Sequence, residues 1–426
     1  STKGIAMKGM KESGVGWIGK IPNDWQVSRI KYACDSRSEK AWFNNEKDEY
    51  LGLENVVGFS DKIIKTDTTY SDGYYDIYKK GDVLFNKLRP YLGKVILASK
   101  DGFCTGEFIR LFNYRGDSRY LKYWMINEQF IAEVDNSTYG TKMPRANPQF
   151  IMNMAILIPP YEDQKRIADY LDSKCSETDN LIRDIRSQIN ALEQYRDSII
   201  TETVTKGIKE ETGMKETGIS WIGQMPKEWK LLKGKYMFAL RNLRGNNIEL
   251  QLLSPTQNYG VIPQATYEDL TGMNAVKLSE NVDLSSLKTI HKGDFCISLR
   301  SFQGGFEYSE YEGVVSPAYQ VFFPTIKIAD GFYKYLFKEV GFIEKMNSYT
   351  MTLRDGKNIA FADFGNTYLP YPPYEDQQAI ADYLDEKCNR INKIIAGKKQ
   401  LLETLKRYKK ALIFEYVTGK KEVPTV

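Results

Sequence analysis

Residues 159–175 of this chain read PPYEDQKRIADYLDSKC, and residues 372–388 repeat them as PPYEDQQAIADYLDEKC. After each stretch, apolar residues recur at steps of three, four and seven, which is typical of a long helix that packs against another helix. Proline suits a helix start, and glycine suits a helix end. We therefore predict a long helix over 161–205 and a second one from 374 to about 418. The predicted seam residues are Ile167, Leu171, Cys175, Ile182, Ile185, Ile189, Leu192 and Ile199 in the first helix, and Ile380, Leu384, Cys388, Ile391, Ile395, Leu402, Leu405 and Leu412 in the second.

A second repeated block precedes each variable region. Residues 10–32 read MKESGVGWIGKIPNDWQVSRIKY, and residues 214–236 read MKETGISWIGQMPKEWKLLKGKY. Between the repeated blocks the two halves differ strongly and carry short β-branched and aromatic runs, such as GDVLFN, KVILAS, GDFCISL and YQVFF, which predict strands. Residues 122–134 and 333–346 predict one short amphipathic helix in each half.

These patterns predict an α+β chain with two globular mixed α/β domains separated by two long helices. The predicted boundaries are 1–157, 158–206, 207–370 and 371–426. Equal helices with matched seams bury them best against each other, so a pseudo-twofold repeat predicts an antiparallel coiled coil with one globular domain at each end. Thr2–Ile5 repeats Thr205–Ile208 as TKGI, which predicts that the N-terminus lies beside the end of the second helix.

The composition is that of a globular protein whose single histidine limits its chemistry. The chain has 426 residues, a formal net charge of +4, and five scattered cysteines. No run of 18 apolar residues and no signal-peptide pattern occurs, so we expect a cytoplasmic protein with free thiols and no membrane association. His291 is predicted to lie at a strand edge, which argues against a histidine base or a histidine-rich metal site.

Catalytic motifs are incomplete wherever they begin to form. Residues 14–19 read GVGWIG, but the repeat places Ser220 at the central glycine that a phosphate-binding turn needs. The IPPY and YPPY tetrapeptides have Ile158 and Tyr371 where an amino-methyltransferase needs Asn or Asp. The Glu-x-Lys pattern at 228–230 is not repeated. The sequence therefore predicts no catalytic residue, no metal site and no cofactor bound by this chain.

Basic and amide side chains interleaved with aromatics occupy two loops in each half. One loop follows the GDVLF or GDFCIS strand, and the other precedes the long helix. Arg reads guanine edges, Asn and Gln read adenine, and Lys holds phosphates; the alternative is ordinary solvated loop charge. The candidate DNA-binding residues are Lys87, Arg89, Tyr91, Lys94, Lys142, Arg145 and Asn147 in the first half, and Arg300, Gln303, Arg354, Lys357 and Asn358 in the second.

The layout resembles the specificity subunit of type I restriction-modification systems. The resemblance lies in WIGKIPNDW and WIGQMPKEW, in GDVLFNKLRPYLGK, and in the paired PPYEDQ…IADYLD helices. It implies that each variable region is a target recognition domain reading half of a split, asymmetric site in double-stranded DNA. It also implies that the helices set the gap and dock two methyltransferase subunits, which recruit the restriction subunits. Those partners, rather than this chain, would need S-adenosylmethionine, ATP and Mg²⁺.

Two other classes of protein remain open at this point. A coiled-coil scaffold whose globular ends bind proteins would show the same conserved rod and divergent ends. Salt-dependent binding to duplex DNA distinguishes it from a DNA reader. A self-sufficient nuclease or methyltransferase is disfavoured by the missing motifs, and activity of the isolated chain with S-adenosylmethionine or magnesium would revive it.

Overall fold

A computed structural model of the chain describes residues 9–60, 62–140, 142–209, 213–244, 251–257, 259–273, 286–298, 305–349 and 359–424. The chain divides into two compact units. The first consists of Ser1–Arg186 and Gln400–Val426, and the second consists of Ser187–Lys399. Each unit therefore contains one variable region and one end of each long helix.

The first unit is built from short strands and four short helices around two four-stranded sheets. Its strands are Met10–Glu12, Lys20–Pro22, Gln26–Arg29, Asp35–Ser36, Lys40–Phe43, Tyr50–Leu51, Gly73–Tyr78, Val83–Asn86, Val95–Leu97, Gly102–Cys104, Phe108–Phe112 and Ala155–Ile158. Its helices are Ile30–Ala33, Ser118–Met125, Glu128–Asn136 and Pro148–Asn153, with 3-10 turns at Leu53–Asn55 and Pro90–Leu92. The Gly-Asp strand predicted from GDVLFN lies inside a sheet, between Phe108–Phe112 and Val95–Leu97.

Both faces of the Val83–Asn86 strand are buried. Side chains alternate along a strand, so Val83 and Phe85 join the main core with Trp124, whereas Leu84 joins a smaller core with Ile96. This explains why GDVLFN is a continuous apolar run rather than an alternating one. The strand is a fixed base from which the following loop projects.

The second unit repeats this plan around a core of phenylalanine rings. Its strands are Met214–Glu216, Gln224–Pro226, Lys230–Lys233, Phe238–Leu240, Leu253–Thr256, Gly260–Pro263, Lys288–Ile290, Phe295–Ile297, Phe306–Tyr308, Gly313–Val315, Gln320–Pro324 and Tyr368–Tyr371. Its helices are Gln264–Thr271, Asp330–Leu336, Val340–Ser348 and Phe361–Asn366, with a 3-10 turn at Gly234–Tyr236. Phe295 and Ile297 face the main core, and Cys296 faces a smaller one, as in the first unit.

The two long helices span Tyr161–Lys206 and Tyr374–Val417, and their predicted positions are confirmed. They run antiparallel. In the first unit the rings of Tyr170 and Tyr416 contact each other at a tilt of 42°, with centroids 4.6 Å apart. In the second unit Arg196 donates to Asn392 Oδ1 at 3.1 Å. Most predicted seam residues are buried, while Ile182, Leu192, Ile199 and Leu405 are partly buried.

The repeated PPYEDQ motif holds each long helix to its unit through a buried glutamine. Gln164 Nε2 donates to the Pro159 carbonyl at 2.9 Å, and its Oε1 accepts from the Tyr114 hydroxyl at 3.1 Å. Gln377 Nε2 donates to the Pro372 carbonyl at 2.8 Å, and its Oε1 accepts from a backbone amide. The motif is thus a helix-start anchor, in agreement with the structural interpretation of the Pro-Pro pair.

The end of each long helix packs on the WIG block of the same unit. A Cβ placed on Gly419 would approach Pro22 and Trp25, and one placed on Gly207 would approach Trp229. Lys420 also donates to the Lys20 carbonyl at 2.7 Å. The segment Lys20–Trp25 therefore lies beside the end of the second long helix. Thr2–Ile5, for which this position was predicted, lie outside the described residues.

Two sequence-based predictions of a single helix were wrong. Residues 122–134 belong to two helices, Ser118–Met125 and Glu128–Asn136, and residues 333–346 likewise belong to Asp330–Leu336 and Val340–Ser348. The break has the same cause in both places, because a polar side chain caps the second helix. Asn127 accepts from the Gln129 amide at 3.1 Å, and Glu339 accepts from the Phe342 amide at 2.6 Å.

Candidate nucleic-acid interface

The two loops predicted to contact DNA in the first half lie side by side. The Arg89 amide donates to the Pro144 carbonyl at 2.7 Å, and the Ala146 amide donates to the Lys87 carbonyl at 2.9 Å. Leu88 and Arg145 also form an isolated antiparallel bridge. Residues 86–94 lie far in the sequence from residues 139–140 and 142–147, but together they form one surface, which we call the paired-loop surface.

Arg89 occupies an unusual backbone conformation at the centre of this surface. Its φ is +53°, in a region that non-glycine residues seldom adopt and that costs about 1–3 kcal/mol. The guanidinium is exposed and donates to the Lys142 carbonyl at 3.4 Å. The backbone hydrogen bond to the neighbouring loop holds this strained, partly buried arginine in place and leaves its guanidinium at the surface.

The other predicted residues of the paired-loop surface differ in their exposure and in the partners that they already have. Tyr91 and Lys142 are exposed. Burial lowers the pKa of the half-buried Lys87 ammonium. Arg145 pairs with the Glu107 carboxylate, with Nε 3.0 Å from an oxygen, so it would have to exchange this partner for a base or a phosphate.

Two predicted residues have evident structural tasks. Lys94 Nζ donates to the Leu53 carbonyl at 2.7 Å, which ties the loop to the adjacent 3-10 turn. Asn147 Oδ1 accepts from the Gln149 amide at 2.8 Å and caps the helix Pro148–Asn153. These bonds explain the two residue types without nucleic acid, and the predicted DNA contacts stay predictions.

Phe59 packs against the Gly93 end of the paired-loop surface. This contact was not predicted from the sequence. The Phe59 amide donates to the Gly93 carbonyl at 2.8 Å. Gly93 has a φ of +59°, and a Cβ there would lie 2.5 Å from the Phe59 ring. On its other side Phe59 meets the second long helix, where Lys409 donates to its carbonyl at 3.1 Å and Lys410 lies 4.4 Å from its ring centroid.

A buried ion pair holds the base of the Gly-Asp strand in each unit. Arg37 Nε lies 2.8 Å from an Asp82 oxygen, and Arg241 Nε lies 2.6 Å from an Asp294 oxygen. Each guanidinium also covers an aromatic ring, Phe112 at 4.3 Å and Phe323 at 4.4 Å from the centroid. The divergent regions therefore share an Arg–Asp framework. In the sequence, this framework is indicated by the Gly-Asp dipeptide that begins both GDVLF and GDFCI.

The predicted DNA-binding residues of the second half lie outside the described residues. They are Arg300, Gln303, Arg354, Lys357 and Asn358. The strand that leads to the first of these loops, Phe295–Ile297, is described and buried. His291 follows the strand Lys288–Ile290, as expected, and its Nδ1 lies 2.7 Å from a Glu312 oxygen.

Membrane-spanning helices and metal-binding clusters are both absent from the described ranges. In that part of the chain, no helix has the length and apolar character needed to span a membrane. The same residues contain no group of three or more His, Cys, Asp and Glu side chains placed to hold a metal ion.

The duplicated fold and the sequence together define the class of protein. Residues 22–191 and 226–404 match the type I restriction modification DNA specificity domain, so the chain belongs to this family. It is a type I specificity subunit with two recognition domains. A similar protein is the type I restriction enzyme MjaVIII specificity subunit of Methanocaldococcus jannaschii, 27% identical, with 94% of each chain covered. The EcoDI specificity subunit of Escherichia coli is 23% identical over 43% of this chain and 42% of its own.

Solved structures support the fold. A chain from a study of complex assembly and conformational transition of the type I R-M system superposes with a TM-score of 0.69 at 17% identity, covering 94% of this chain and 99% of that one. The HsdS subunit from Thermoanaerobacter tengcongensis gives a TM-score of 0.50 at 16% identity, covering 96% of this chain and all of its own. At these identities the similarity concerns the fold alone.

Proposed function

We propose that each recognition domain reads one half of an asymmetric bipartite site in double-stranded DNA. The paired-loop surface carries this proposal, because it joins two basic loops on a buried strand in the way a groove-reading element requires. Backbone contacts would supply salt-sensitive affinity, and loop side chains in the groove would supply the choice of bases. The loops of the two halves differ in sequence, which favours two different half-sites.

The long helices are proposed to set the gap between the half-sites and to dock two methyltransferase subunits. The first helix has 46 residues and would be about 69 Å long at 1.5 Å per residue. Recruited restriction subunits would complete the complex. In this scheme S-adenosylmethionine, ATP and Mg²⁺ bind the partners, and this chain contributes recognition without catalysis.

Methylation mapping tests the proposal directly. The chain would be co-expressed with its neighbouring methyltransferase subunit, and host DNA would be sequenced for N6-methyladenine. A split motif that depends on this chain supports the assignment and reveals both half-sites. Assembly of the complex without new methylation would instead favour a protein-binding scaffold.

Arg89→Ala tests the paired-loop surface. Losing a base contact costs about 1–3 kcal/mol, so affinity should fall roughly 5- to 150-fold for DNA carrying the first half-site. DNA altered only at the second half-site should lose affinity equally in both proteins. Lys47→Ala removes one charge from an exposed turn of the same unit and serves as the matched control. An equal effect at both half-sites, or none, would contradict the assignment.

Lengthening the helices tests their role as a spacer. Because the helices are antiparallel, seven residues would be inserted both within 185–192 and within the facing stretch 394–401, which preserves the seam. Seven residues add about 10.5 Å, or roughly three base pairs at 3.4 Å each. The methylated motif should keep its half-sites and gain that many unspecified positions; an unchanged gap would exclude the spacer role.

A further inference from the structure

A cavity of about 370 Å³ lies within the first unit, between residues 57–60 and 62 on one side and the two long helices on the other. Its apolar wall includes Val57, Phe59, Ile182 and Ile413. This volume is in the range of small-ligand pockets, which combine apolar walls with a few convergent polar groups.

The remaining lining is strongly cationic. Among the residues that the structure describes, Lys62, Arg183, Arg186, Lys406, Lys409 and Lys410 line the cavity, together with the carboxylate of Asp179. Lys409 is held between both Asp179 oxygens at 2.8 Å, and Lys410 pairs with Glu128 at 2.6 Å, so these two cations have structural partners. The other cations surround a space that an anion could enter.

Two of these cations, Arg183 and Lys406, take part in ion pairs at the protein surface. Arg183 lies 3.8 Å from Asp184, and both side chains are more than 60% exposed. Lys406 pairs with Glu403 at 2.6 Å, where the two side chains are 43% and 65% exposed. Exposed pairs of this kind contribute little to stability, so these two side chains are available to a ligand at small cost.

The internal repeat shows that helix packing does not require three of these cations. Each residue of the first long helix lies 213 positions before its counterpart in the second, as Pro159 and Pro372 show. The apolar Ile182 and Ile413 are kept as Ile395 and Ile200. Three of the five helix cations are not kept, since Arg183 becomes Ala396, Lys406 becomes Glu193 and Lys410 becomes Asp197. The other two are kept, because Arg186 corresponds to Lys399 and Lys409 to Arg196.

We propose that this cavity is a phosphate-binding site unique to the first half of the protein. An apolar wall beside several cations suits a phosphorylated ligand with a planar or apolar moiety, such as a nucleoside phosphate. A phosphate of the DNA backbone offers the same chemistry. The DNA alternative rests on the proposed function, whereas binding of a free phosphorylated ligand does not. Because Phe59 lines the cavity and bonds Gly93, an occupant also contacts the residue that supports the paired-loop surface.

The test uses the repeat as a guide to harmless substitutions. Arg183→Ala with Lys406→Glu gives the full-length chain the residues that the other half already carries at these positions. Lys165→Ala with Lys393→Glu makes the same change of net charge at exposed helix positions outside the cavity lining and is the matched control. Circular dichroism and thermal unfolding establish that both variants fold.

Two measurements distinguish the two sources of phosphate. Calorimetric titration with inorganic pyrophosphate and with ATP, at 50 mM salt, should show one saturable site that weakens at least tenfold in the cavity variant alone if the ligand is free. If the phosphate belongs to DNA, the slope of log affinity against log salt should fall by about 0.9 per lost contact, again in the cavity variant alone. Either result supports the site.

The proposal is overturned if the cavity variant and the control show the same affinity in the titrations and the same salt dependence of DNA binding. This holds even if both variants bind DNA as tightly as the unmodified chain. Failure of the proposed function has a different signature. In that case none of the three proteins shows salt-dependent binding to duplex DNA, while the titration with pyrophosphate still reports on the cavity.

Discussion

Replacing Asp82 by alanine should destabilise the first unit by about 3 kcal/mol or more, because removing one member of a buried ion pair strands the other charge. The Arg37 and Asp82 side chains are only 7% and 4% exposed. Asp82 accepts from Arg37 Nε at 2.8 Å, from Nη2 at 3.3 Å, and from the Lys79 amide at 2.9 Å. Arg37 keeps its bond to the exposed Glu39 at 2.8 Å, which places the expected cost at the low end of the 3–5 kcal/mol range.

Hydrogen exchange measured by mass spectrometry can follow this loss in one unit at a time. Opening of the Val83–Asn86 strand should become about 150-fold more frequent, since 1.4 kcal/mol corresponds to a factor of ten. Peptides covering Phe295–Ile297 should exchange at the unmodified rate. Asp294→Ala, which breaks the equivalent pair, should give the reverse pattern.

A paired replacement separates ion pairing from packing. Arg37→Met with Asp82→Leu removes both charges together, and buried pairs replaced in this way often lose no stability. This double variant should therefore recover most of the protection lost in Asp82→Ala. Unchanged exchange in Asp82→Ala, or a double variant as unprotected as the single one, would refute the stranded-charge explanation.

Two further perturbations test other parts of the molecule. Burial raises the pKa of Glu307 from 4.5 to about 7, so the folded chain binds this proton more tightly than the unfolded one, and stability should fall by up to ~3 kcal/mol between pH 4.5 and 7 and then stay level. Thermal unfolding across this range should show that fall in the unmodified chain relative to Glu307→Gln; parallel curves would contradict it. Gly93→Ala places a side chain at a φ of +59° and 2.5 Å from the Phe59 ring, which should cost at least ~1–2 kcal/mol in urea unfolding and weaken binding at the first half-site. Gly397→Ala, in the second long helix with open space around it, should instead stabilise by about 1 kcal/mol.

Periodicity made the long helices predictable. A seam repeated over forty residues needs no tertiary information, and Pro-Pro and glycine marked the ends within a residue or two. The helix breaks at Asn127 and Glu339 were missed because the apolar spacing continues across both positions. Only the side-chain cap, a local hydrogen bond that outweighs the pattern, ends one helix and starts the next.

The paired-loop surface could be predicted only in part. The residue types of each loop indicated nucleic-acid contact, but a single sequence gives no sign that the two loops bond to each other. Nor does it show that Lys94 and Asn147 are engaged in hydrogen bonds with their own unit. These pairings depend on the folded positions of a strand and a helix that are more than fifty residues apart.

The shared Arg–Asp framework suggests why the loops of the two halves can differ so much. Gly81 and Gly293 have φ values of +89° and +94°, and each turn presents an aspartate to an arginine that directly follows another strand, Arg37 after Asp35–Ser36 and Arg241 after Phe238–Leu240. The stability of the strand base is thus supplied by residues that do not reach the paired-loop surface. Loop sequence can then change with little effect on the core, because the groups that hold the strand and the groups proposed to read DNA are different side chains at opposite ends of the same strand. Separate placement of stability and recognition is what a protein needs if it is to acquire new half-sites without losing its fold.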